Sequence, residues 1–184
     1  RHDRLIAIMA CHTTLQPTLT RTGVPTLVLA GNPNVGKSVV FGALTGRYVT
    51  VSNYPGTTVE VTSGSARTPS GETLLVDTPG VYSLIPLSDD ERVTRDILLA
   101  ERPTAVLQVA DAKNLARGLV ITLELAELGL PAVLCLNMAD EAQSRGISVD
   151  AERLAVRLGL PAVSTVATRG EGVAQLAQML SQAQ

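Results

Sequence analysis

A glycine-rich segment near the start of the chain has the residue types needed to bind phosphate groups. Residues 31–38 read GNPNVGKS, a GxxxxGKS pattern, between an apolar run and an amphipathic stretch. Glycines let the backbone amides point at phosphate oxygens, Lys37 can reach the outer phosphates, and Ser38 can offer its hydroxyl to magnesium. The alternative is a glycine turn that only caps a helix. The predicted phosphate-binding residues are Gly31, Asn32, Pro33, Asn34, Val35, Gly36, Lys37, Ser38 and Val39.

A second motif indicates which base accompanies the phosphates. Residues 137–140 read NMAD, at the end of an apolar run. A carboxylate at Asp140 can accept hydrogen bonds from N1 and the exocyclic amine of guanine, whereas adenine offers no such pair of donors and leaves a buried acceptor unpaired. The alternative for Asp140 is a plain helix N-cap. In this order with the phosphate loop, the motif favours GTP over ATP, and the predicted guanine-binding residues here are Asn137, Met138 and Asp140.

Two further segments lie between these motifs and contain candidate magnesium ligands. Residues 77–80 read DTPG, where Asp77 can hold the magnesium shell through water and the amide of Gly80 can meet the γ-phosphate. In the turn-rich segment 54–60, YPGTTVE, a threonine could contact the metal only when the γ-phosphate is present, and we favour Thr58 over Thr57. The predicted switch-loop residues are Gly56, Thr57, Thr58, Val59 and Glu60 in the first loop and Asp77, Thr78, Pro79 and Gly80 in the second.

The elements that must position these motifs alternate between strand and helix. Short apolar runs alternate with longer amphipathic stretches, which is typical of a doubly wound α/β sheet with its ligand at the carboxyl ends of the strands. We predict a six-stranded, mostly parallel sheet with strand 2 antiparallel beside strand 3. The apolar runs are 26–30, 73–77, 104–111, 131–137 and 161–165, and the helical stretches are 37–45, 89–100, 114–128, 150–158 and 172–182.

Composition excludes several other classes of protein. Hydrophobic residues make up 45% of the 184 residues, enough for a continuous core. The net charge is −2 and aromatic residues are 2%, so neither a basic surface nor a set of base-stacking rings indicates a nucleic-acid partner. The longest apolar run, 5–11, is too short to span a membrane.

The first 24 residues have no lasting periodicity, and we interpret residues 1–24 as a leader and 25–184 as the folded domain. The two cysteines, Cys11 and Cys135, are far apart and lack CxxC spacing, so they predict neither a disulfide nor a structural zinc site. Cys11 and His12 form at most a weak metal-binding pair, and Cys135 is interpreted as a small core residue.

Taken together, the motifs resemble the GTPase domain of the ferrous iron transport protein B (FeoB) family over residues 25–180. The matching segments are GNPNVGKS, YPGTTVE, DTPGVYSL, SDDERVTRDIL, VADAKNLARGL, NMADEAQSRGI and TVATRGEGV. The resemblance implies a Ras-like P-loop domain that converts GTP to GDP and phosphate. Magnesium would be held by Ser38, Thr58 and Asp77.

The resemblance also implies roles for residues outside the four motifs. The loop after the last strand, Val166, Ala167 and Thr168, would contact guanine, and Asn34 would help to bind a potassium ion beside the phosphates. For Asn34 the alternative is a turn-forming asparagine without a ligand. The residue after DTPG is Val81, which cannot orient water, so we expect slow hydrolysis, on the order of 10⁻³ s⁻¹ or less. The residues expected to act in catalysis are Lys37, Thr58, Gly80 and Asn34.

In this family the domain would regulate an iron transporter from the cytoplasmic face of the inner membrane. A helical regulatory domain and a transmembrane iron permease of the same polypeptide would follow beyond this chain. GTP with magnesium would order segments 47–58 and 80–90, and loss of the γ-phosphate would release them. Two alternatives remain at this stage: a ribosome or RNA assembly GTPase of the Era-like kind, which the net charge disfavours, and a nucleotide-gated interaction module with negligible turnover.

Overall fold

Strands and helices alternate along residues 24–183, the part of the chain that the computed structural model describes. The strands are β1 Thr26–Gly31, β2 Thr45–Asn53, β3 Glu60–Thr68, β4 Gly71–Asp77, β5 Ala105–Asp111, β6 Ala132–Asn137 and β7 Ala162–Ser164. The helices are α1 Lys37–Leu44, α2 Asp89–Ala100, α3 Leu115–Glu127, α4 Ala139–Ser144, α5 Ala151–Leu158 and α6 Val173–Gln182, with 3-10 turns at Ala112–Asn114 and Ala167–Arg169.

The strands form one mixed sheet in the order β2-β3-β4-β1-β5-β6-β7. The five strands from β4 to β7 in this order pair in parallel, while β2 with β3 and β3 with β4 pair antiparallel. The predicted α/β class and mostly parallel sheet are therefore confirmed. The five predicted helices and five predicted strands all occur, with ends within two residues of the expected positions.

The predicted strand number of six is wrong by one, because residues expected at the start of the first switch loop form a strand instead. Within the described residues the sheet has seven strands, and β2 is its edge strand. The side chains of Val49 and Val51 are 49% and 56% exposed, so the side chains of this strand that the structure describes show no buried apolar pattern. Of the predicted loop 47–58, only the part after Asn53 lies outside a strand.

The sheet is buried on both faces in its centre, which explains the continuous apolar runs of β1 and β5. Successive residues of β1 face opposite layers, as expected for a strand. Leu27 and Leu29 pack with residues of α1 and α6, whereas Val28 and Ala30 pack with residues of α2 and α3. This packing fixes the carboxyl ends of β1, β4, β6 and β7 along one edge, where GNPNVGKS, DTPG, NMAD and the loop 166–168 lie.

Two further sequence predictions concern the first 24 residues and Cys135. The predicted leader, including Cys11 and His12, lies outside the described residues apart from Val24. Cys135 is buried in the sheet, where burial raises the pKa of its thiol to about 11, as suits the predicted core residue. No helix within residues 24–183 has both the length and the apolar character of a membrane span.

Candidate functional site

The GxxxxGKS segment forms the turn between β1 and α1, as its sequence predicts. Gly36 stands at the N-cap of α1 with φ 85°, and Asn34 has φ 63° and an exposed side chain. A Cβ at Gly36 would overlap Nδ2 of Asn137, and a Cβ at Gly31 would overlap the carbonyl oxygen of Val109. Glycine is therefore needed at both positions, because other parts of the backbone and the NMAD motif approach the loop closely.

The chemically active side chains at the start of α1 meet the end of β4. Ser38 Oγ donates a hydrogen bond of 3.3 Å to Asp77 Oδ2, while Asp77 Oδ1 is buried without a hydrogen-bond partner among the described residues. Burial lowers the pKa of Lys37, an effect that the nearby Asp77 opposes. Burial likewise raises the pKa of Asp77, opposed by the charge of Lys37 and the bond from Ser38.

These donors fit magnesium bound together with a nucleotide. Residues 24–183 contain no cluster of three or more His, Cys, Asp or Glu side chains that could hold a metal alone. Magnesium commonly takes one or two protein oxygens and completes its shell with water and phosphate oxygens. The unpartnered oxygen of Asp77 beside the hydroxyl of Ser38 provides that kind of donor set.

The DTPG segment is docked on the phosphate loop. The amide of Val81 donates to the carbonyl of Gly31 at 3.0 Å, and Asn32 Nδ2 donates to the carbonyl of Val81 at 3.1 Å. A Cβ on Gly80 would lie 2.8 Å from Cα of Pro33, so the two backbones are in direct contact. The side chain of Val81 is buried in the core, and it places no polar group where attacking water would be oriented.

The first switch loop, residues 54–59, closes on itself. Tyr54 N donates to Val59 O at 2.8 Å, and Thr57 Oγ1 donates to Tyr54 O at 2.9 Å and accepts from Val59 N at 3.2 Å. Thr58 is exposed and makes no hydrogen bond with other described residues. The hydroxyl of Thr57 is thus engaged locally, which leaves that of Thr58 available. No contact joins Thr58 to the Ser38–Asp77 pair in this structure.

Beyond Val81 the second switch is fastened to helix α3 by one carboxylate. Glu124 accepts a hydrogen bond from Ser83 Oγ at 2.5 Å and another from Leu84 N at 2.6 Å. Arg117, about two turns before Glu124 on the same face of α3, lies over the Tyr82 ring at 5.5 Å from its centroid. Sequence reasoning missed Glu124, because a single acid on an amphipathic helix carries no signal that its partners lie 40 residues away.

Asn137 joins the NMAD motif to two other loops. Its Nδ2 donates to the carbonyl of Val35 at 3.0 Å, and its Oδ1 accepts from Ala167 N and Thr165 Oγ1, both at 3.1 Å. The side chain is buried, so every polar atom of the amide is used in holding loops together. The structure therefore brings the phosphate loop, the NMAD motif and the loop after β7 into one network.

The acidic residue of NMAD lies at the start of α4, beside the loop after β7. Asp140 is about one-third exposed and forms a 3.3 Å ion pair with Arg169. Val166 exchanges two backbone hydrogen bonds with Glu171, and Thr168 is exposed. Met138 holds the turn with φ 60°. The predicted guanine-binding residues thus gather at one place, although Asn137 and the amides of Val166 and Ala167 bond within the protein.

Comparison with known proteins gives the same assignment as the motifs. The family model for ferrous iron transport protein B matches residues 25–180. Over 155 residues the chain is 41% identical to the Fe(2+) transporter FeoB of Salmonella typhimurium and to that of Escherichia coli K12, covering 82% of this chain and 20% of each relative. The chain therefore spans about one fifth of the length of the curated relatives that it matches.

Solved structures of FeoB domains match the fold along most of the chain. The G domain of the T. maritima FeoB superposes with a TM-score of 0.81 at 37% identity, covering 87% of this chain and 98% of that one. The cytosolic domain of L. pneumophila FeoB gives 0.82 at 39% identity, covering 86% and 68%. The match to almost the whole of an isolated G domain, together with the family model, shows that this chain belongs to the FeoB family and corresponds to its G domain.

Proposed function

We propose that this chain binds GTP and GDP with magnesium, hydrolyses GTP slowly, and serves as the nucleotide-controlled module of a ferrous iron transporter. The observation that carries the proposal is the Asn137 network, which places the phosphate loop directly beside the NMAD turn. A nucleotide whose phosphates lie on GNPNVGKS would have its base next to Asp140. The family assignment favours this function over an RNA assembly GTPase.

In this proposal Lys37, Ser38 and Asp77 handle the phosphates and the metal. Magnesium, when bound, neutralises charge on the phosphate oxygens. Ser38, Asp77 and, in the GTP state, Thr58 would hold the ion. Burial works against the charged form of Lys37, and an anionic phosphate would restore that form because opposite charges stabilise each other. Phosphate binding would thus offset the free-energy cost of burying the charged form of Lys37.

The two switch loops would report the state of the nucleotide. The γ-phosphate would draw Thr58 toward the metal and engage the amide of Gly80, which already contacts the phosphate loop. Residues 54–59 and 82–88 would change position when that phosphate is lost, because few bonds hold them to the sheet. Two structures of the T. maritima FeoB cytosolic domain are in GDP form, which supports guanine-nucleotide binding by this fold.

Turnover would be slow and stimulated by potassium. The buried side chain of Val81 leaves no amide or acid to orient water. Asn34 is exposed beside the phosphate loop and would add a ligand for potassium, whose charge would offset the negative charge that develops during hydrolysis. The remaining catalytic contributions would come from Lys37, Thr58 and Gly80.

The partners of this module would be other parts of the same polypeptide. The curated relatives are Fe(2+) transporters about five times longer than the matched segment. A helical regulatory domain and a transmembrane iron permease would receive the conformational signal at the cytoplasmic face of the inner membrane. No nucleic-acid partner is proposed.

The test is a pair of measurements on this chain. Titration with GDP and ADP should show tighter binding of GDP, and equal binding would overturn the assignment of a guanine site. GTP hydrolysis at matched ionic strength should be faster in potassium than in sodium. Asn34→Ala should remove that difference, while Gln175→Ala, a similar change at an exposed position of α6, should keep it. No turnover in either salt would identify a nucleotide-gated module instead of an enzyme.

A further inference from the structure

The turn that presents Asp140 has little intrinsic support of its own. Met138 occupies the left-handed region at φ 60°, which costs free energy for a residue with a Cβ. Helix α4 has only six residues and no side-chain N-cap hydrogen bond. Something outside the turn must therefore stabilise the direction in which Asp140 leaves the sheet.

Lys113 contacts this turn from the neighbouring strand end. It lies in the 3-10 turn after β5, and its Nζ is 3.3 Å from Met138 Sδ and 2.5 Å from Glu141 Oε2. The same Nζ is 3.7 Å from Asp111 Oδ1. The ammonium group thus bridges the end of β5 to both residues that flank the Ala139–Asp140 step.

Burial distinguishes this ion pair from the surface pairs of the molecule. The side chains of Lys113 and Asp111 are 10% and 15% exposed and that of Glu141 is half exposed, whereas both partners of the Arg92–Asp89 pair on α2 are more than half exposed. Exposed pairs add little to stability, but removing one partner of a largely buried pair leaves a charge uncompensated. The buried pair with Asp111 therefore fixes the Lys113 ammonium at the end of β5, from which it contacts Met138 and Glu141 of the turn.

The cations around the turn also separate the roles of Asp140 and Glu141. Asp140 and Glu141 are adjacent carboxylates in the first turn of α4, and each pairs with a cation from a different loop: Asp140 with Arg169 and Glu141 with Lys113. Because Lys113 binds Glu141, the Glu141 carboxylate is held beside the end of β5. Asp140 is left as the carboxylate on the side of the loop after β7.

We propose that Lys113 is a positioning residue for base recognition: it holds the Met138–Glu141 turn so that Asp140 can accept both guanine hydrogen bonds. This inference rests on the proposed guanine-nucleotide binding. In this proposal Lys113 does not contact the nucleotide. Its replacement would change the selectivity for the base more than the affinity for the phosphates.

The experiment compares GDP with inosine diphosphate, which lacks the exocyclic amine. Lys113→Met should weaken GDP binding by about tenfold and inosine diphosphate binding by much less, because only guanine needs both bonds to Asp140. Lys113→Arg should restore most of the GDP preference, and Glu141→Gln should reduce it in the same direction. Arg92→Ala, which breaks the exposed pair on α2, serves as the matched control and should leave both affinities unchanged.

The outcomes separate this inference from the proposed function. If the unmodified chain binds GDP no better than ADP, the proposed function fails. If it prefers GDP but Lys113→Met lowers both affinities by the same factor, or lowers only the melting temperature, Lys113 is merely structural and the inference is overturned. Should Lys113→Met not fold, the ratio measured for Glu141→Gln gives the same decision.

Discussion

The two halves of the candidate site are built differently. On the side of the predicted base, Asn137 is buried and its amide bonds to the phosphate loop and to the loop after β7. On the side of the switches, Val49 and Val51 of edge strand β2 are exposed. Most of residues 82–88 are exposed as well, with Ile85 at 64% and Leu87 at 90%, although Leu84 packs in the core. Segments with few buried contacts open at low free-energy cost. In the proposed function the first part would hold the nucleotide and the second would respond to it.

The boundary between the halves lies within the second switch. Thr78 Oγ1 donates to Leu29 O at 2.7 Å, and Val81 bonds to the phosphate loop. The first residues of the second switch, up to Val81, are therefore bonded to β1 and the phosphate loop. From Ser83 onward the segment depends on Glu124, until the capping box of Ser88 and Glu91 begins α2. Movement of the second switch should therefore begin after Val81.

The largest effect on nucleotide affinity is expected on the side of the predicted base. Asp140→Asn should weaken GDP binding by at least about 100-fold and shift the preference toward xanthine nucleotides, because the amide replaces a carboxylate that accepts two hydrogen bonds. Competition titrations with GDP and xanthosine diphosphate measure this. Asp89→Asn, an exposed change on α2, is the control, and unchanged GDP selectivity in Asp140→Asn would refute the role of Asp140.

A smaller but selective effect is expected at the boundary. Gly80→Ala would place a Cβ 2.8 Å from Cα of Pro33, so the DTPG segment would have to move away from the phosphate loop. We expect hydrolysis and GTP affinity to fall about tenfold with GDP affinity nearly unchanged, since the γ-phosphate contact would be lost. Equal losses for GTP and GDP would instead place Gly80 in the structural support of the whole site.

On the side of the switches, amide protection should fall when Glu124, which bonds to Ser83 and Leu84, is removed. Glu124→Ala removes both bonds to Ser83 and Leu84, and a charge-assisted hydrogen bond contributes about 1.5–3 kcal/mol. Hydrogen exchange at the amide of Leu84 should accelerate about 10-fold or more, whereas amides of β1 should be unaffected. Glu127→Ala, an exposed acid on the same helix, is the control, and equal protection in both variants would mean that Glu124 does not anchor the switch.

The smallest effect is a gain in stability without a change in function. Gly42 is exposed within α1, and a Cβ there would meet nothing within 4 Å. Gly42→Ala should raise the free energy of unfolding by up to about 1 kcal/mol, because glycine costs helix stability relative to alanine. Thermal unfolding with and without GDP measures it, and a loss of GDP affinity would reveal a functional reason for glycine at this position.

The elements that could be predicted from the sequence are those indicated by residues close together in the chain. The apolar runs of β1 and β5, the turn between β1 and α1, and helix α2 all follow from nearby residues. Strand β2 was not foreseen, because it pairs along a sheet edge and exposes its valines. Glu124 and Lys113 were missed for a related reason: their partners are distant in sequence, and a single charged side chain does not reveal them.

The side chain of Asn137 makes the two ends of the site inseparable for anyone redesigning the molecule. Because one amide supports Val35 in the phosphate loop and Ala167 in the loop after β7, replacing it would damage both subsites at once. Base preference can be re-engineered independently only at positions such as Asp140 that lie outside this shared amide. Asn137 therefore cannot be changed for one loop without affecting the other, and sequence libraries for altered nucleotide preference should keep that residue fixed.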